Sequence, residues 1–153
     1  MKAMTKRDYL EPDFRVLFET APALYLVMDP SFTLVAANDA VLRATLTNRA
    51  DILGRHLFEV FPDNPNDSTA TGVGTLRASL LRVLKTRAPD ALQRLKYDIQ
   101  NRRPDAAGYE ERYWDATNIP ILGDDGYVKW ILNTAVDVTE FVKLEARLHN
   151  PKQ

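Results

Sequence analysis

Residues 123–140 read GDDGYVKWILNTAVDVTE, and this stretch decides the fold. Gly-Asp-Asp-Gly is a turn signal set between two apolar, β-branched runs, RYWDATNIPIL at 112–122 and YVKWILNTAV at 127–136, so the two runs are expected to pair as a hairpin. The second run ends in Asp137-Val-Thr-Glu140. Asp137 with Glu140 three residues on has the spacing of a capping box in its Asp form, in which two side chains satisfy orphan N–H groups at a helix start. A helix is therefore expected to begin there. Its residues Phe141, Leu144 and Leu148 recur at three and four, the spacing of a seam that needs a partner. Only about one heptad remains before Pro151, so the seam is incomplete and the helix reads as an exit, a rod leaving one domain toward something else.

Working back along the chain, LQRLKYDIQ at 92–100 supplies a third strand, and Leu76, Leu80, Val83 and Leu84 keep helical spacing between Gly74 and Arg87. HLFEVFPDNPND at 56–67 is a short helical turn running into a Pro/Asn/Asp loop. Asn38 is placed to cap a helix over 39–46, and Asn48 another over 49–53, which Gly54 would end. ALYLVMD at 23–29 and TLVAAN at 33–38 read as two short strands joined by a tight turn. Phe14, Leu17 and Phe18 share one face of an entry helix expected over 8–20, stopped by Pro22. Two strands, then helices, then three strands predict an α+β fold with a mostly antiparallel sheet. The βα alternation of a dinucleotide-binding fold is missing.

A length of 153 residues is about one domain, enough to bury roughly 70% of its unfolded surface without staples. With 20 basic against 21 acidic residues, no global field favours nucleic acid or an anionic membrane, and neither is expected as a partner. Cys is absent, which removes disulfides, thiolate catalysis and cysteine-ligated metal centres together. No apolar run approaches the ~20 residues of a membrane span. The start, MKAMTKRDYLEPDF, lacks the apolar core of a signal peptide, so the expected location is the cytoplasm.

Three stretches, LYLVMDPSFTLVAAN at 24–38, ADILGRHLFEVFP at 50–62 and the 123–140 segment, resemble in order and spacing the PAS domain family, the sensory modules of bacterial signalling proteins. The resemblance runs from about 12 to 142 and is nearest to PAS domains that precede the kinase region of sensor histidine kinases. It implies a five-stranded antiparallel sheet, short helices across one face, and a pocket between them for a small ligand or cofactor. It also implies a homodimer and an exit helix that carries the output to a C-terminal domain or partner kinase. The chain would then divide into an N-terminal helical cap (1–20), a PAS core (21–139) and a signalling helix that starts a coiled coil (140–153).

Light-sensing members of the family carry a reactive Cys shortly after Gly-Arg; Leu57 stands there, so a covalent flavin adduct is excluded. Haem-binding members carry an axial His on the long helix. Residues 71–87 contain none, and His56 and His149 are the chain's only histidines, so haem is not expected. His56 reads as a surface or interfacial residue rather than a ligand. The cofactor stays unknown, with non-covalent flavin or a small metabolite both open.

If GDDG is a four-residue loop, Leu122 pairs with Tyr127, and Trp114, Ala116, Asn118, Ile131, Asn133 and Ala135 share one face of the hairpin. Tyr113, Ile119, Ile121, Val128, Trp130, Leu132 and Val136 share the other. Periodicity alone makes the second face the core. The resemblance turns Ala135, and so the first face, toward the helices, and makes Trp114, Asn118, Asn133 and Ala135, with Tyr97, Met28 and Leu57, the candidate pocket. Filling of a plain core is the alternative for the same residues. The second face would be covered by Phe14, Leu17 and Phe18 of the entry helix or by a second subunit, with Trp130, Leu132 and Phe141 as packing positions. Asp137, Thr139 and Glu140 form the expected signal junction.

Other motifs carry less. Glu110-Glu111-Arg112 with Asp115 alternates in sign like a solvated edge rather than an acid–base cluster. TATGVGT at 69–75 has glycines before a helix but no P-loop Lys. NRRP at 101–104 is a short basic loop. The inward strand positions hold no Asp, Glu or His, so the domain is not expected to be an enzyme. The leading expectation is a sensory input and dimerisation module; the alternatives are a dimerisation domain without a ligand and, less favoured, a small α+β enzyme. A cavity of roughly 300 Å³ or more, lined by both Asn, would favour the sensor.

Overall fold

The computed structural model describes residues 11–102 and 108–150. In chain order the elements are α1 (Phe14–Thr20), β1 (Leu24–Met28), β2 (Leu34–Ala37), α2 (Asp39–Thr45), α3 (Arg49–Ile52), α4 (Leu57–Val60), α5 (Gly72–Thr86), β3 (Asp90–Lys96), β4 (Ile99–Asn101), β5 (Gly108–Glu110), β6 (Tyr113–Leu122), β7 (Val128–Asp137) and α6 (Thr139–His149). The main sheet is antiparallel and five-stranded, in the order β2-β1-β7-β6-β3, and β4 pairs with β5 alone. The expected α+β architecture is the observed one.

The β6–β7 hairpin forms, with a register different from the one a plain four-residue loop dictates. Leu122 pairs with Val128 and, beyond a bulge, Ile121 with Trp130 rather than Val128. Beyond the bulge the slip is two residues, and an even slip leaves residues 113–121 and 130–137 on their own faces. Val128, on the turn side of the bulge, packs against the buried cluster instead of the outer face where the plain loop would put it. The face carrying Trp114, Ala116, Asn118 and Ile131 is the buried one, so the reading from periodicity alone is overturned. What decides it is the layer above. Ile52, Leu57, Val60, Leu76, Leu80 and Val83 come from three successive helical segments and close over that face. On the opposite face Val136 is 63% exposed and Ile121 41%.

The entry helix covers less of that outer face than expected. Asp13 caps α1 through Val16 N at 3.1 Å, and Phe18 stacks on Tyr25 at 5.9 Å between centroids. Phe14 and Leu17 are exposed. Residues 8–10 of the expected helix lie outside the described residues.

Asn38 does more than cap α2. Its Oδ1 accepts from Tyr25 N and Val41 N while its Nδ2 donates to Ala21 O and Ala23 O, which ties β1, α2 and the end of α1 to one buried amide. His56 Nδ1 accepts from Phe58 N and so caps α4.

The third strand expected over 92–100 is broken in two. β3 bulges between Leu92 and Leu95, where Arg94 takes φ 53°. The chain then turns at Asp98, whose carboxylate accepts from Asn64 Nδ2 (2.9 Å), Lys96 Nζ (2.6 Å) and Arg112 N (3.2 Å). These bonds hold β4 away from the main sheet.

The capping box also takes a different form. Asp137 Oδ1 accepts from Thr139 N at 2.9 Å, two residues on, and the exposed Glu140 side chain makes no hydrogen bond among the described residues. Thr139 is the buried member of the junction. Its Oγ1 donates to Asp137 Oδ1 and accepts from Tyr113 N at 3.0 Å, and Val138 N donates to Tyr113 O at 2.9 Å. Among the described residues no helix is long and apolar enough to cross a membrane, and no group of three or more His, Cys, Asp or Glu is placed to hold a metal ion.

Candidate functional site

Ala116 on β6 pairs directly with Ala135 on β7, and Leu24 pairs with Ala135 from the other side. Two methyl groups side by side leave the middle of the sheet low. The helices bridge this hollow instead of filling it, and a cavity of about 80 Å³ remains. Its floor is Leu26, Trp114, Ala116, Asn133 and Ala135; Val41, Thr45, Leu57 and Leu76 form the roof, and Tyr97 and Ile99 one end.

Of the residues singled out in the sequence, Trp114, Asn133, Ala135, Tyr97 and Leu57 meet at this cavity. Met28 and Asn118 do not. Met28 is fully buried in the core, one strand-step past the hollow, and the Asn118 amide is engaged between two other side chains. Leu24, Leu26 and Leu76 were not singled out. The alternation in LYLVM puts Leu24 and Leu26 on the same face as Met28, yet nothing in it says which end of the strand borders the hollow. The cavity is also smaller than the roughly 300–1,000 Å³ usual for ligand pockets, and one Asn rather than two lines it.

The polar groups of the wall are mostly committed. Tyr97 Oη donates to Phe61 O and Trp114 Nε1 to Tyr97 O at 2.8 Å. Burial pushes the Tyr97 phenol well above its ordinary range, so it remains a neutral donor. Thr45 Oγ1 donates to Val41 O at 2.7 Å. Asn133 is different. Its Nδ2 donates to Asn118 Oδ1 at 2.8 Å, and its own Oδ1 accepts no hydrogen bond among the described residues.

Behind Asn133 runs a chain of side-chain hydrogen bonds to the surface. Asn118 Nδ2 donates to Ser79 Oγ at 2.9 Å, and Ser79 Oγ donates to Asp90 Oδ2 at 2.6 Å. Arg82 grips the same carboxylate from outside, Nη2 to Oδ2 at 2.9 Å and Nε to Oδ1 at 3.1 Å. Hydrogen bonds from Arg82 and then Ser79 hold the Asp90 carboxyl below its ordinary range. Ser79 and Asn118 are fully buried, so the relay passes through the core.

Larger hollows, of about 750 Å³ beside the β6–β7 turn and about 560 Å³ at the start of α5, are lined mainly by exposed residues such as Asp124, Tyr127 and Thr75. The Glu110–Arg112 cluster is spent in ion pairs, Arg112 with Glu110 and Asp137, and Lys143 with Glu111.

The family model for the PAS fold matches residues 18–143. The PAS domain of BvgS from Bordetella pertussis is 25% identical, with a TM-score of 0.61 over 91% of this chain and 93% of that one. A sensory box sensor histidine kinase from Vibrio cholerae is 16% identical, with a TM-score of 0.55 over 82% of this chain and 88% of its own. The PAS domain of nitrogen regulation protein NR(II) from Vibrio parahaemolyticus is 12% identical, with a TM-score of 0.61 over 83% and 99%. No curated protein matches the chain.

Proposed function

The chain belongs to the PAS fold family of sensory signalling modules, and on that premise we propose that it is an input domain that binds a small molecule in the Ala116–Ala135 cavity and passes its state through α6 to an output domain such as a histidine kinase. The observation that carries this reading is the layout of β7. Asn133 and Ala135 form part of the cavity wall, and Asp137, the next residue on the same face, holds the first turn of α6. One strand therefore touches both the cavity and the exit. In this reading the chain divides into a cap segment (1–20), the sensory core (21–139) and an output segment (140–153), of which 1–10, 103–107 and 151–153 lie outside the described residues. The domain itself is not catalytic. The outer face, with Trp130 and Leu132 half-buried and Phe14, Leu17 and Val136 exposed, is the surface through which two copies pair.

The cavity volume favours a second reading, a dimerisation domain with no ligand, because about 80 Å³ is within reach of an ordinary packing defect. Native mass spectrometry of the purified protein separates the two. A dimer carrying a small non-covalent mass that is lost under denaturing conditions supports the sensor. A ligand-free dimer, whatever extract is added, supports the second reading, and a monomer contradicts both.

A further inference from the structure

The hydrogen-bond relay behind the cavity has a direction, and the direction restricts what the cavity can hold. An ionised carboxylate only accepts, so Ser79 must spend its single hydroxyl hydrogen on Asp90. Ser79 Oγ is then available to Asn118 only as an acceptor, which turns the Asn118 amide so that its NH₂ faces Ser79 and its carbonyl faces Asn133. Asn133 must answer with its own NH₂. The amide group left over for the cavity is the Asn133 carbonyl. The hydrogens of Thr45, Tyr97 and Trp114 around it are already given to backbone carbonyls, so the wall has little to offer an acceptor.

We propose that the Asp90 carboxylate, acting through Ser79 and Asn118, fixes Asn133 Oδ1 as an acceptor, and that the cavity takes a small, mainly apolar molecule with one hydrogen-bond donor, such as a short alcohol. This rests on the reading of the cavity as a ligand site and goes further by naming the ligand chemistry. An engineered apolar cavity of about 150 Å³ holds benzene, so the volume here suits roughly three to four heavy atoms. Ketones, ethers and other acceptor-only molecules of the same size would set oxygen against oxygen.

The test uses a matched pair of probes, 2-propanol and acetone, titrated into the full ¹⁵N-labelled chain. The Trp114 indole N–H and the Asn133 side-chain amide report on the cavity by NMR. Severalfold tighter binding of 2-propanol is expected. Acetone binding equally well or better would overturn the assigned polarity and leave the ligand site standing, whereas no response to either probe would overturn the ligand site itself. In Asp90→Asn the new amide can donate to Ser79, which allows the whole relay to reverse; the preference for 2-propanol should then disappear or invert. An unchanged preference in folded Asp90→Asn would overturn the role given to Asp90. Should that variant not fold, the wild-type probe pair still decides the polarity.

Discussion

Thr139 Oγ1 accepts a hydrogen bond from Tyr113 N at 3.0 Å, so the first residue of the exit helix is fastened to the first residue of a central strand. Thr139 is buried, so its hydroxyl is shielded from bulk solvent. Thr139→Val keeps the shape and strands the Tyr113 N–H, which should cost about 1–3 kcal/mol. Thr139→Ser should restore most of that. Urea denaturation of the two variants checks the difference.

Asp137 is half of the same junction, yet it lies outside the core. Losing a capping acceptor costs about 0.5–2 kcal/mol, a small part of the ~5–15 kcal/mol that holds a domain together. Asp137→Ala should leave the sheet intact and fray residues 139–149, seen as faster amide exchange there. Loss of protection throughout the sheet would instead make Asp137 a residue of the fold.

Gly72 and Gly74 sit two residues apart at the start of α5 and should respond in opposite directions. A Cβ on Gly72 would lie 2.8 Å from both Lys96 O and the Tyr97 ring. That ring is fixed at its hydroxyl by Phe61 O, so it cannot swing aside cheaply. Gly72→Ala should therefore destabilise by about 1–3 kcal/mol, the usual cost of overpacking. Nothing lies within 4 Å of a Cβ on Gly74. Gly74→Ala should gain up to about 1 kcal/mol from helix propensity. The denaturation midpoints give the sign of each.

Asp98 makes stability depend on acid. Burial opposes its charge, but hydrogen bonds from Asn64, Lys96 and the Arg112 N–H prevail, and its pKa lies below the ordinary 3.8. Between the folded and unfolded values the unfolded chain binds more protons, so this contribution is fully present above about pH 5 and is lost as pH falls through the folded pKa. Asp98→Asn should lower stability at neutral pH and flatten the acid limb. Stability measured against pH from 2 to 7 would show both effects.

The sequence made some of this legible and hid the rest for physical reasons. The β6–β7 hairpin, the helical spacing of α5 and the start of α6 all show as local patterns, and local patterns survive folding. The bulge at Ile121 and Leu122 does not show, and it overturns the face assigned to Val128, but the slip beyond it is even and leaves the other assignments intact. Which face is buried could not come from the hairpin, because it depends on Ile52, Leu80 and Val83 arriving from elsewhere in the chain. β4 and β5 are three residues each, too short for a period to declare itself. The relay was out of reach for another reason. Asn118 and Ser79 lie 39 residues apart, and only the tertiary fold brings them to 2.9 Å.

The central claim is that the cavity and the exit helix are coupled through β7. Ala135→Val fills the hollow from that strand, and Thr134→Val, which alters the adjacent side chain on the opposite face with little change of volume, serves as a control for substitution in β7. Hydrogen exchange should show altered protection across residues 139–149 in Ala135→Val, with the sheet still protected and the control unchanged. If Ala135→Val abolishes probe binding yet leaves exchange across 139–149 as in the wild type, the cavity does not speak to the helix and the account is contradicted.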